Sequence, residues 1–139
     1  MAFRVLIVDD SKSMRAVIKK TLKAAGFYPD ETYEAENGKE ALEIMDQHEV
    51  DVVLSDLHMP VMNGLEFLAE LQAQDRVPEC FILVTTEGRK ERLKECLGLG
   101  ARGYITKPFQ PEGLRKILTL LLGEPDGAGM DEGPEGRDF

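Results

Sequence analysis

Cysteine is scarce in this chain: 139 residues hold two, Cys80 and Cys96. They lack the paired spacing of a metal site and fall within apolar segments. A disulfide framework, a structural zinc and a redox pair therefore give way to buried, inert thiols. Long hydrophobic runs are missing as well. None approaches the roughly 20 residues that span a bilayer, so no membrane association is expected. The opening MAFRVLIVDD reaches acidic residues too soon to leave a signal-peptide core with a cleavage site, which predicts a cytoplasmic protein. Positive charge is also in short supply. With 17 Lys and Arg against 26 Asp and Glu, the net charge of −9 argues against a nucleic-acid-binding surface and favours a partner protein or a cation.

The length suits one domain with a core of ordinary size and leaves no room for a second folded unit. The acid is unevenly spread. Residues 123–139, GEPDGAGMDEGPEGRDF, hold six acidic residues and one arginine, five of the 13 glycines and two of the seven prolines. With Met130 and Phe139 as their sizeable apolar side chains, they cannot offset the entropy of ordering. A disordered acidic tail after a domain of residues 1–122 is expected.

Four runs rich in branched apolar residues read as strands, FRVLIV, VDVVL, CFILV and GYIT, with a weaker one at ETYEAE. Their near-continuous apolarity predicts burial on both faces, as in a parallel sheet covered by helices. Met14, Val17, Ile18, Thr21, Leu22 and Ala25 fall at helical spacing, with Gly26 closing the helix. Shorter periodic patterns run through Ala41–Leu42–Met45, Leu65–Leu68–Leu71, Leu93–Cys96–Leu97 and Leu114–Ile117–Leu118–Leu121. Strand then helix, five times, predicts an α/β doubly wound sheet, since a closed barrel needs eight such units. Ligands of such sheets sit beyond the carboxyl ends of the strands.

Those ends carry Asp9 and Asp10, Asp56, Thr85 and Thr86, and Thr106 and Lys107. Each has an ordinary structural explanation. An aspartate after a strand is usually a cap or turn residue, Asp9-Asp10-Ser11 could cap the helix starting near Ser13, and Asn63-Gly64 is a common turn. Jointly they point to chemistry. Carboxylates gathered at one end of a sheet repel by ~4 kcal/mol per pair at ~4 Å for an effective dielectric near 20. Lys107 can neutralise one charge, and a hard divalent ion such as Mg²⁺ the rest. A carboxylate beside a metal, a lysine and a threonine hydroxyl suits phosphoryl transfer, with Asp56 as nucleophile and an acyl phosphate as product.

The segments LIVDDS, LSDLHMPVMNG, LVTTEG and GARGYITKPF closely resemble the receiver domain of two-component response regulators, over about residues 3–122. The resemblance implies a flavodoxin-like (βα)5 sheet of strand order 2-1-3-4-5. It makes Asp56 the phosphoacceptor, Asp9 and Asp10 the acidic pair for Mg²⁺, and the His58 main-chain carbonyl a further ligand. It also makes Thr85 and Tyr104 the switch pair, Lys107 the catalytic lysine, and Lys107–Pro108 a cis peptide bond. The stand-alone chemotaxis members are the most similar. That implies a monomer phosphorylated by a sensor histidine kinase, with an output partner such as the flagellar motor switch or a phosphotransfer protein. The basic run Arg89, Lys90, Arg92 and Lys94, near Tyr104, falls on the family's output surface, though a solvated helical face explains it equally well. The sequence departs from the family pattern at His58, where asparagine is more familiar, and at Thr86, where a smaller residue is common; both bear on phosphate lifetime.

Four other functions come into question, and the full site argues against one of them, a degenerate receiver acting only as a scaffold. A phosphorelay intermediate would differ only in its partner. A small Mg²⁺-dependent aspartyl phosphatase needs a second carboxylate two residues beyond its nucleophile, where this chain has His58 or Ser11. A flavodoxin-like FMN carrier would be yellow when purified.

Overall fold

The computed structural model describes residues 3–123; the expected acidic tail falls, from residue 124 onward, outside the described residues. Strands and helices alternate as β1 (Arg4–Val8), α1 (Lys12–Ala24), β2 (Glu31–Ala35), α2 (Gly38–Gln47), β3 (Val52–Ser55), α3 (Gly64–Ala73), β4 (Cys80–Thr85), α4 (Lys90–Gly98), β5 (Gly103–Thr106) and α5 (Pro111–Leu122). All strand pairings are parallel, in the order β2-β1-β3-β4-β5. The expected fold is the observed one.

Strand alternation sorts the apolar residues into two cores. Val5, Ile7, Val52, Leu54, Cys80, Ile82 and Val84 face α1 and α5, where Ile18, Leu22, Leu114 and Leu118 meet them. Leu6, Val8, Val53, Phe81 and Leu83 face the other way, onto Ala41, Phe67, Leu68, Leu71, Leu93 and Cys96 of α2, α3 and α4. Strands buried on both faces need apolar residues at consecutive positions, which is why VLIV and CFILV show no polar alternation. Each fully buried Leu, Ile, Val or Phe contributes ~1.5–3 kcal/mol of transfer free energy. Both thiols are buried and unpaired, as expected, and burial pushes them up, Cys80 to about 12 and Cys96 to about 11.

Local signals set the element ends. Ser11 caps α1 by accepting from the Met14 amide at 3.1 Å, so the cap falls to the serine rather than to either aspartate before it. Gly26, with φ of 92°, lies just past the end of that helix. Asn63 and Glu66 close α3 with a reciprocal capping box at 2.8 and 3.0 Å, so the Asn-Gly pair starts a helix instead of making an ordinary turn.

Candidate functional site

Register brings the carboxylates together. Val8 pairs with Ser55 across β1 and β3, so the next residue of each central strand, Asp9 and Asp56, emerges side by side. Backbone bonding continues one residue beyond the strands: the Asp56 amide donates to Val8 O at 2.8 Å and the Asp9 amide to Ala35 O at 3.0 Å. Asp9 and Asp56 are buried and Asp10 is exposed. One carboxylate oxygen from each of the three lies within 4.8 Å of the others. A convergent, all-oxygen set open on one side fits a small, hard divalent cation.

Lys107, just past β5, supplies the organic cation. Its Nζ donates to Asp9 Oδ2 at 2.9 Å and to Asp56 Oδ2 at 3.1 Å. Burial opposes its charge, but the hydrogen bonds and charges of Asp9 and Asp56 outweigh that and hold its pKa above the usual lysine value. Its amide donates to Thr85 O at 2.9 Å, and the Lys107–Pro108 bond is cis, as the family resemblance implies.

The loop after Asp56 is shaped to serve that residue. Asp56 Oδ1 accepts from the Leu57 amide at 2.7 Å and, more weakly, from the His58 amide at 3.4 Å. Two residues on, the Met62 amide donates to Pro60 O at 2.7 Å and closes a three-residue turn centred on Val61. Val61 has φ of 68°, a costly conformation for a β-branched residue. The chain then doubles back, and the Gly64 amide donates to Leu57 O at 2.9 Å. A Cβ on Gly64 would lie 2.2 Å from the Asp56 carbonyl oxygen, so only glycine allows this approach.

The remaining expected residues are distributed less tightly. Thr85 is fully buried, and its hydroxyl accepts from the Glu87 amide at 3.1 Å, leaving its O–H able to donate elsewhere. Tyr104 is apart from the carboxylates, 45% exposed, beside Lys90, Leu93, Lys94 and Leu97. The basic run divides. Lys90 and Lys94, one helical turn apart, flank Tyr104, whereas Arg92 faces another hollow with Glu91 and Glu95. Arg89 is the residue before α4; it pairs with Glu87 while lining the same hollow as Arg92.

Glu87 went unrecognised in the sequence. Its side chain is 4% exposed, yet it bridges two loops: Oε1 meets His58 Nε2 at 2.9 Å, and Oε2 accepts from Arg89 N at 2.8 Å and Nε at 3.1 Å. The Arg89 hydrogen bonds, with help from His58, hold its carboxyl down at about 2. With Glu87 ionised, His58 Nε2 carries the shared hydrogen, and a clamp spans the loops that follow β3 and β4. His58, half-exposed, is thus tied down on one side of the carboxylate cluster.

The fold recurs in known proteins. A family model described as the response regulator receiver domain matches residues 5–119. A chemotaxis protein CheY homolog of Campylobacter jejuni is 40% identical over 131 residues, covering 93% of this chain and 99% of that protein. The solved structure of chemotaxis protein CheY4 of Vibrio cholerae matches with a TM-score of 0.75 at 38% identity, covering 88% of this chain and 100% of that one. A CheY from Borrelia burgdorferi, solved in a complex with CheX, BeF3 and Mg²⁺, matches with a TM-score of 0.75 at 29% identity, over 85% of this chain and 87% of that one. The family match and the extent of these similarities agree with the strand order and the acidic cluster: the chain belongs to the response regulator receiver domain family.

Proposed function

We propose that this chain accepts a phosphoryl group on Asp56 from a histidine kinase, in a Mg²⁺-dependent reaction, and thereby changes its affinity for a partner protein in chemotaxis. One observation carries the reading: Asp56 stands within 4.8 Å of two further carboxylates while Lys107 Nζ is 3.1 Å from its Oδ2. A capping or turn aspartate needs neither.

The chain's residues supply each step. A carboxylate oxygen of Asp56 attacks phosphorus; the P–O bond forms as the P–N bond of a phosphohistidine breaks, and the imidazole departs with the electron pair and takes up a proton. Lys107, already an ammonium, gives up one carboxylate contact and neutralises a phosphoryl oxygen. The Thr85 O–H, its acceptor side engaged by Glu87, donates to another. The Asp9, Asp10 and Asp56 carboxylates with the His58 carbonyl would hold Mg²⁺, which when bound offsets negative charge on the phosphoryl group. Water attack at phosphorus later releases inorganic phosphate and restores the carboxylate, so the chain acts as a phosphoacceptor and not as an enzyme on an external substrate. Binding of the phosphoryl group by Thr85 and Lys107 favours one loop arrangement, with Tyr104 turned inward and the face of α4, β5 and α5 altered.

The comparisons support the chemotaxis setting through the names of the similar proteins, and the Borrelia structure supports Mg²⁺ and a protein partner. No helix among the described residues is long and apolar enough to cross a membrane. The reading places a monomeric receiver unit over residues 1–122 in the cytoplasm. Its test is intact mass after incubation with acetyl phosphate, with and without Mg²⁺. Wild type gains one phosphoryl group only with Mg²⁺, and Asp56→Asn gains none; an adduct on Asp56→Asn, or none on wild type, rejects the assignment.

A further inference from the structure

Arg15, in the first turn and a half of α1, is a buried arginine that the acceptor chemistry does not use. Only 8% of the residue is exposed, and its side chain bridges two elements. Nη1 donates to the main-chain carbonyl of Asp9 at 2.6 Å, and Nε donates to Glu34 Oε1 of β2 at 2.8 Å. Glu34 is held in turn by Lys19, whose Nζ reaches Oε2 at 2.6 Å. Hydrogen bonds from Lys19 and then Arg15 keep the Glu34 carboxyl below the usual range, so Glu34 is an anionic anchor for the Arg15 guanidinium at neutral pH.

The Asp9 carbonyl is the point of interest. It lies between the two aspartates of the acidic pair, before the Ser11 cap, so no helical amide is in position to bond it. Left unpaired in a buried setting it would be costly and free to rotate, and rotating that peptide re-aims both carboxylates. The rest of the turn is pinned on other sides: the Asp9 amide by Ala35 O at 3.0 Å, and the Asp9 side chain through Oδ1, which accepts from the Ser11 amide at 2.9 Å. Arg15 closes the remaining degree of freedom with a charge-assisted bond. Its planar fork serves two acceptors at once, which the single head of a lysine cannot do with the same geometry.

We propose that Arg15, anchored by Glu34, is a positioning residue for the divalent-cation site: it fixes the Asp9–Asp10 peptide and so the aim of the two carboxylates. The proposal rests on the Mg²⁺ reading above. Groups that orient metal ligands typically change metal affinity by about 10–100-fold when removed.

Calorimetric titration of the full chain with Mg²⁺ alone tests it, alongside urea unfolding of each variant. Folded Arg15→Ala is expected to bind Mg²⁺ about tenfold more weakly, with Arg15→Lys recovering part of the loss and Glu34→Gln weakening binding by a smaller factor. The rate of adduct formation from acetyl phosphate should fall at low Mg²⁺ and approach wild type at saturation, a split that a purely structural arginine would not produce. If wild type binds Mg²⁺ and folded Arg15→Ala binds it equally well, the role of Arg15 is overturned while the site stands. If Arg15→Ala does not fold, unchanged affinity in both Arg15→Lys and Glu34→Gln overturns it instead. If wild type itself binds no Mg²⁺, the site reading falls and the proposal with it.

Discussion

The two ends of the sheet handle polar groups in opposite ways. At the carboxyl end lie all six buried polar residues among those described: Asp9, Arg15, Ser55, Asp56, Thr85 and Glu87. At the amino end, charged groups pair in the open. Arg4 reaches Asp51 at 3.3 Å and Glu49 at 3.1 Å, with the Glu49 side chain 84% exposed. The apolar cores between them are continuous, so packing alone does not call for this asymmetry. Buried charge carries a desolvation cost that an apolar residue would avoid. Its concentration at one end marks where stability has been given up for chemistry.

Breaking that contrast should cost most at Lys107. Lys107→Ala leaves Asp9 and Asp56 adjacent without their cation, and a loss of about 2–3 kcal/mol at pH 7 is expected in urea unfolding, at the low end for a buried pair because water reaches the ammonium. The sign with pH follows from the raised pKa. The lysine's contribution is fully present below its ordinary value of 10.5 and fades as pH rises through the higher value in the fold, so wild type and variant should converge in strong alkali. Added Mg²⁺ should recover part of the loss in the variant.

Gly64→Ala comes next. The clash is with backbone, 2.2 Å from Asp56 O and 2.9 Å from Leu57 Cα, so no side chain can swing aside. A cost of about 2 kcal/mol is expected from overpacking, together with slower adduct formation as Asp56 is displaced. The smallest effect belongs to the amino end: Glu49→Ala should leave both Tm and adduct formation at their wild-type values, since exposed ion pairs are screened and loosely held. A fall in Tm comparable to that of Lys107→Ala would erase the distinction between the two ends.

The fold was legible because its signals are local. Continuous apolar strands, periodic helices and small residues at helix ends each declare themselves within about ten residues, and the order of elements then leaves few topologies. Asp9, Asp10, Asp56 and Lys107 were legible for a related reason: they terminate strands, and parallel register aligns strand ends. Glu87 and Arg15 were not. Each looks like an ordinary surface charge, and its burial depends on partners such as His58, 29 residues away, or Glu34, 19 residues away. Gly64 hid differently. Asn-Gly reads as a turn, and nothing in the pair says that another backbone will pass against it. The pairing of Arg89 with Glu87 is likewise tertiary context that charge patterning does not carry.

The burial of Cys80 and Cys96 has a practical consequence for studying the switch. Both thiols remain protonated far above neutral pH and lie out of reach of solvent, and the chain has no tryptophan. The protein is therefore silent to maleimide chemistry and to indole fluorescence in its native state. One cysteine introduced at an exposed position such as Leu97, or one tryptophan at Tyr104, would report alone from the face beside α4. Any signal that changed on phosphorylation would have a single, known origin.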